Sequence, residues 1–371
     1  MSENKFLCLG VMSGTSLDGL DLALCEFTLS ENIWKYDILK ATTIPYSLEW
    51  KNRLIRVEED NAQMYVQTDW MFGNYIGEQV QKFLQHVNST PDCIASHGHT
   101  IFHQPDGANG FTAQIGNGAT IAAITGLTVI NDFRIADIAL GGQGAPLVPV
   151  GDKLLFSQYD FCLNLGGIAN ISAEINDKRK AYDICAFNMA LNYIASMKGK
   201  EYDEGGQLAA SGKLQTALLD KLEQLPFFNI TGPKSLGKEW YLAEVLPLIQ
   251  KYDYSPEDLA HTFVRHITLQ IAKTCNNMRP SSKEGMKMLV TGGGAYNSYF
   301  IDCLKEELPW LQIDIPDPQL LEFKEALVFA FLGVLRLLNI PNCLASVTGA
   351  QSDSISGVLH KPPITKSLIK T

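Results

Sequence analysis

Three short stretches hold the residues best suited to chemistry, and each joins glycine to small hydroxyl or carboxamide side chains. They are GVMSGTSLDGLD (10–21), NLGGIAN (164–170) and TGGGAYN (291–297). Glycine lets backbone N–H groups converge on an anion with no side chain in the way, so each stretch is a candidate cradle for phosphate oxygens. In the first, Gly10 and Gly14 would supply the backbone, with Ser13, Thr15 and Ser16 as added hydroxyl donors. Asn164, Gly166 and Gly167 would form the second cradle, and Gly292, Gly293 and Gly294 the third. Asp18 and Asp21 offer the hard oxygen ligands that Mg²⁺ takes, directly or through water. One glycine turn alone is as readily a plain hairpin. Three in one chain, each after an apolar strand, point to a nucleotide.

Two other patterns lead elsewhere. GPKSLGKE (232–239) has phosphate-loop spacing up to Lys238, but Glu239 stands where a Ser or Thr should meet Mg²⁺, and no strong apolar strand precedes it. It reads as a surface or substrate-side loop. His97, His99 and His103 are spaced like metal ligands, yet Asp106 is the one carboxylate near them, so a substrate-side loop is the preferred reading over zinc.

These residues need strands and helices to hold them. Lys5–Val11 and Asp21–Phe27 read as strands flanking the first turn, and Phe161–Leu165 and Ile168–Ile175 repeat that arrangement in the second half. Helices are expected over 69–87, over 255–278 and in FKEALVFAFLGVLRLLN, which Pro341 stops. CIASHGHTIF reads as a buried strand running into a loop, and GGQGAPLVPV (141–150) as a hinge or crossover. The simplest assembly is α/β, with an N-terminal lobe over 1–133 and a C-terminal lobe over 134–371, the last residues packing back on the first lobe.

With 371 residues, 46% hydrophobic and 19% charged, the chain has the make-up of two globular lobes. A net charge of −10 disfavours a nucleic-acid groove, although it is compatible with ATP, whose phosphates need only local neutralisation. Eight scattered cysteines without a C-x-x-C pair read as reduced thiols, and the first residues carry no apolar leader; both point to a cytoplasmic protein away from membranes.

VMSGTSLDGLD resembles the first phosphate loop of the anhydro-N-acetylmuramic acid kinases. The resemblance continues through SHGHTIFHQP, QIGNG, VINDFR, ALGGQGAPLVPV, NLGGIANIS, YDEGGQLAASG, GPKSLGKEW, TGGGAYN and SVTGAQSD. It implies a two-lobed actin/hexokinase-like (ribonuclease H-like) fold with an interlobe active-site cleft, and a homodimer. The implied reaction uses ATP, Mg²⁺ and water to open the 1,6-anhydro ring and leave phosphate on the 6-oxygen, in cell-wall sugar recycling. It makes Asp183 the catalytic base and places Arg134, His97, Gln114, Asn188 and Glu325 around the sugar, with Arg134 suited to the lactyl carboxylate.

Some positions depart from that pattern. Asp183-Ile-Cys-Ala-Phe-Asn188 replaces the family's Asp-Thr-Gly-Pro-Gly-Asn, His99 replaces a glutamine, and Asp152 stands where a histidine is usual. Two alternatives follow: a kinase of a related amino sugar without ring opening, or a non-catalytic nucleotide-binding paralogue that senses wall fragments.

Overall fold

The computed structural model describes residues 4–105, 107, 109–230, 234–279 and 284–362. Asp106, Gly232 and Pro233, which figure in the histidine and phosphate-loop-like patterns, lie outside the described residues. Two compact units emerge from the contacts: Met1–Leu155 with Phe323–Thr371, and Phe156–Glu322.

The first unit is built on β1 (Asn4–Ser13), β2 (Gly19–Ser30), β3 (Ile33–Pro45), β4 (Cys93–Gln104), β5 (Phe111–Ile115) and β6 (Val129–Asn131). β1, β2 and β3 form an antiparallel meander, and β4 and β6 continue the sheet in parallel on the other side of β1. A short strand, Val358–His360, closes the far edge, and β5 pairs with β4. Helix Ala62–Leu84 covers one face, its Phe72, Ile76 and Val80 packing with Leu9, Val11, Leu22 and Ile94. It begins earlier than the apolar pattern suggests because Asn61 caps it, its side-chain oxygen accepting the Met64 N–H at 3.0 Å.

The second unit repeats the plan with β7 (Phe161–Leu165), β8 (Ile168–Ile175), β9 (Lys178–Ala186), β10 (Met286–Thr291) and β11 (Leu311–Asp314). Its order, β9-β8-β7-β10-β11, matches β3-β2-β1-β4-β6, again three antiparallel strands followed by two parallel ones. Helix Pro256–Met278 follows its Ser255 cap and buries Phe263, Ile267 and Ile271 among Leu163, Ile171 and Val290.

The boundary differs from the one read at 133/134. Segment 134–155 is held in the first unit by side chains, so GGQGAPLVPV is a turn within that unit and no hinge. The buried Asp137 carboxylate accepts from Gly144 N–H at 2.7 Å and from the Thr348 hydroxyl at 2.8 Å. A buried ion pair, Lys324 to Asp152 at 2.8 Å, ties the same segment to the chain's return. That return starts at Phe323, where helix Pro318–Leu337 breaks its own geometry.

The histidine segment also differs from expectation. Instead of opening into a loop, β4 runs on to Gln104 and pairs with β5 through His99, His103 and Gln104. All eight cysteines are free thiols, and seven are buried. Among the described residues no helix is long and apolar enough to cross a membrane.

Gly10, read as a phosphate donor, is corrected by its surroundings. It lies within β1, paired with both β2 and β4, and a Cβ there would stand 1.9 Å from the Ala326 carbonyl oxygen. Its place is to admit a helix backbone. Gly10→Ala should therefore destabilise the chain by about 1–3 kcal/mol through overpacking, read as a lower urea midpoint with an unchanged slope.

Candidate functional site

In the first unit the phosphate-loop candidate is the β1–β2 turn. Thr15, Ser16 and Asp18 are exposed on it, and Leu17 has φ of 60°, which bends the chain sharply. Asp21 follows on β2 and accepts from the Thr43 hydroxyl at 2.5 Å. Ser13 is buried and engaged: Tyr46 O–H donates to its oxygen at 2.7 Å, and its own hydroxyl lies 2.9 Å from His99 Nδ1. It braces the turn from beneath and is not available to a phosphate as it stands. Burial lowers the His99 pKa to about 4 against a backbone hydrogen bond with Ser13, so the ring is neutral near pH 7.

A second group brings together three of the expected sugar-side residues. His97 is buried against the Phe329 ring, with centroids 4.7 Å apart. Its Nδ1–H donates to the Gly98 carbonyl at 2.9 Å, while Nε2 accepts from Arg134 Nε at 3.1 Å and Nη2 at 2.8 Å. Burial, and then the Arg134 charge, hold His97 neutral. Arg134 Nη1 also donates to the Gly144 carbonyl at 2.7 Å. Its pKa is lowered by burial to about 10, so it remains charged, and Glu325 opposes the lowering. Glu325 is reached by solvent but densely surrounded; desolvation raises its pKa, Arg134 counters, and nearby Asp21 adds to the rise. Gln114, on β5, donates to Thr112 at 2.8 Å, and its carbonyl oxygen is buried with no donor among the described residues.

A β-bulge lies at this point. Val11 pairs with Ser96 and Ser13 with His99, so β4 carries an extra residue where His97 and Gly98 stand, with Gly98 at φ 74°. Bulges re-aim side chains, and this one aims His97 at Arg134.

In the second unit the β7–β8 turn holds Gly166 and Gly167. Their carbonyls accept from Asn188 N–H at 3.1 Å and Phe187 N–H at 2.8 Å, fixing the entry of helix Asn188–Ser196. Asn188 Nδ2 donates to the Leu165 carbonyl at 3.2 Å, and Asn164 pairs across to Asn170. In the third turn Gly292 has φ 84° and no room for a Cβ, which would meet Asn164 Oδ1 at 2.7 Å. Gly293 is exposed, and a Cβ there would make only an ordinary contact, 3.9 Å from Asn188 Nδ2. Gly294 is a second correction: it is buried, and a Cβ there would stand 2.3 Å from the Phe187 ring, so it serves packing.

Asp183 is half-buried on β9 and also beside a bulge: Ala169 faces Cys185 and Asn170 faces Asp183, leaving Ile184 as the extra residue. Its Oδ2 accepts from the Leu236 N–H at 2.8 Å and from the Ser235 hydroxyl at 3.3 Å. Burial raises its pKa, and these two donors act against the rise. Ile184, Cys185, Ala186 and Phe187 are all buried in the unit's core, with Phe187 edge-on to Phe300 at 4.9 Å. The departure from the family pattern is thus a change of core packing. Tyr46, Ser235 and Leu236 were missed by sequence reasoning. For the last two the signal was the GPKSLGKE string itself.

Two units of one strand order, each with a glycine-rich turn between its first antiparallel strands, define a duplicated α/β fold. The family described as anhydro-N-acetylmuramic acid kinase matches residues 6–362. The chain is 38% identical over 369 residues to the anhydro-N-acetylmuramic acid kinase of Mannheimia succiniciproducens, covering 95% of this chain and 98% of that protein. It is 34% identical to that of Legionella pneumophila strain Lens, over 97% and 99%. A ligand-bound xylulose kinase from Lactobacillus acidophilus is similar at TM-score 0.46 and 10% identity, over 96% of this chain and 94% of that one, too distant to add weight. This chain belongs to the anhydro-N-acetylmuramic acid kinase family.

The two neutral histidines give a pH test. His99 has its folded pKa depressed from 6.5 to about 4, and that of His97 is also depressed, so the folded chain binds fewer protons than the unfolded one between those values. Their contribution to stability is complete above pH 6.5 and is lost as pH falls toward 4. Thermal melts from about pH 7.5 to about pH 4.5 should show Tm falling, with a shallower fall in His99→Gln.

Proposed function

We propose that the chain adds water to 1,6-anhydro-N-acetylmuramic acid and transfers the γ-phosphoryl group of ATP to the released 6-oxygen, with Asp183 as the general base. The observation that carries this is the Asp183 carboxylate. One oxygen is held by two donors, the other has no partner among the described residues, and burial has raised its affinity for a proton. Water gives a proton to Asp183 as its oxygen bonds to the anomeric carbon. The bond from that carbon to the 6-oxygen breaks, and the 6-oxygen keeps the electron pair. It then attacks the γ-phosphorus in line, and ADP leaves with the bridging oxygen.

Arg134 fits the lactyl carboxylate. Three of its five N–H groups are spent on His97 and Gly144, which fixes the guanidinium plane and leaves one N–H on each terminal nitrogen for a planar anion. Glu325 and the unpaired Gln114 oxygen are acceptors for sugar hydroxyl and amide groups. His97 reaches the sugar through Arg134, and Asn188 through the turn it fixes. Thr15, Ser16, Gly14, Asn164, Gly166, Gly167 and Gly293 face the phosphates in this reading.

Asp18 and Asp21 fit Mg²⁺ carried mainly by phosphate oxygens and water, since the described residues contain no cluster of three potential ligands. The ion would neutralise charge on the phosphates. The free, buried thiols support a cytoplasmic setting, and a homodimer completes the proposal. The related-sugar alternative loses its support, because Ile184–Phe187 lie in the core.

A coupled ADP-release assay with Mg-ATP and 1,6-anhydro-N-acetylmuramic acid tests the assignment. Asp183→Asn should lower kcat by roughly 10²–10⁴-fold while ATP binding persists. Arg134→Lys, which loses the fork, should raise KM for the sugar by about tenfold. Full turnover in Asp183→Asn would refute the base.

A further inference from the structure

The segment from Lys234 to Leu236 supplies the two donors that hold one Asp183 oxygen, and it is the only segment among the described residues whose side-chain or backbone donors reach that carboxylate. It meets Asp183 three times. Lys234 C=O accepts the Asp183 backbone N–H at 2.9 Å, the Ser235 hydroxyl donates to Oδ2 at 3.3 Å, and the Leu236 N–H donates to the same oxygen at 2.8 Å.

Both ends of this strap are anchored. Lys234 lays its ammonium 4.2 Å from the centre of the Phe227 ring and donates to the Phe227 carbonyl at 3.1 Å. The Leu236 side chain is 8% exposed and belongs to the core of the second unit. Burying leucine at this point is what holds its N–H at the carboxylate. The chemistry needs such a device. Asp183 sits on a bulged strand, and a base that must meet a water at one place gains from a fixed acceptor lone pair.

We infer that Lys234–Leu236 is a positioning strap for the base, which occupies Oδ2 of Asp183 and leaves Oδ1 as the oxygen that takes the proton. Ser235 and Leu236 are positioning residues that act through Asp183. The inference rests on Asp183 being the base. It also assigns a use to the phosphate-loop-like string: its backbone N–H serves a carboxylate of the chain itself.

Donors to a carboxylate favour its charged form, so weakening the strap makes Asp183 easier to protonate. The ionisable groups around it are Lys234 on the strap, Cys185 on the same strand, Glu223, which acts on Cys185, and Lys273, which acts on Lys234. Burial and the two strap donors account for the Asp183 displacement, with none of these charges contributing to it.

The test is the pH profile of kcat/KM for 1,6-anhydro-N-acetylmuramic acid with saturating Mg-ATP, in the full chain. Ser235→Ala, Leu236→Ala, Ser235→Thr and Asp183→Asn are compared with wild type. The acid limb should move to higher pH by roughly half a unit in Ser235→Ala and by up to about one unit in Leu236→Ala. Ser235→Thr, which keeps the hydroxyl, should return it to the wild-type position. Loss of activity by the same factor at every pH, with the limb unmoved in both alanine variants, would overturn the strap while Asp183→Asn stays inactive. Should Asp183→Asn itself turn over normally, the base assignment fails first and the strap with it.

Discussion

The close approach of helix 323–337 to the first sheet governs where the first unit's polar residues stand. At Gly10 only a hydrogen separates β1 from the Ala326 carbonyl, and at Gly333 a Cβ would come 2.7 Å from the Ala95 side chain. A helix brought this near cannot choose its rotation freely, because a one-residue change would drive a side chain into the sheet. With Ala326 against β1, Glu325 and Lys324 have fixed places. Lys324 finds Asp152 at 2.8 Å, and Glu325 falls within electrostatic reach of both Arg134 and Asp21. The glycine that resembles a phosphate contact therefore sets where the Glu325 carboxylate stands.

Burial then decides protonation. His97 and His99 are two residues apart, and both are kept neutral by desolvation, but they serve different partners. His97 is an acceptor for two guanidinium N–H groups. Were it protonated, it would repel Arg134 and lose both bonds. His99 is hydrogen-bonded to Ser13, which holds the foot of the β1–β2 turn through Tyr46. A glutamine in place of His99 carries both an acceptor and a donor, so it can meet the same serine with a different atom.

Much of this was legible in the sequence, for identifiable reasons. Alternating and helical periodicities gave the paired strands of both halves and helix Pro256–Met278, because those patterns follow from one buried face. The three glycine turns were legible as turns, yet composition cannot separate Gly293, which is exposed and has room for a Cβ, from Gly294, which accommodates Phe187. The lobe boundary was misplaced because GGQGAPLVPV has the residues of a hinge, while its attachment depends on Asp137 meeting Thr348, more than two hundred positions away. The bulges at His97–Gly98 and at Ile184 were invisible too. Each is a one-residue offset between strands distant in sequence or newly turned, and no local pattern records it.

The same offset explains why changes in the residues after Asp183 need not disturb Asp183 itself. A bulge at Ile184 separates the fate of Asp183 from that of the residues after it. Asp183 is left half-buried and turned to Ser235 and Leu236, while Ile184, Cys185 and Phe187 enter the core. Larger side chains there must be matched by neighbours in the core, and the match is seen: the Phe187 ring fills the space that the missing Cβ of Gly294 leaves, and Phe300 packs edge-on against it. Substitution along this stretch is therefore coupled to the third glycine turn. Asp183 and Asn188, at the two ends of this stretch, stay partly exposed and out of that core.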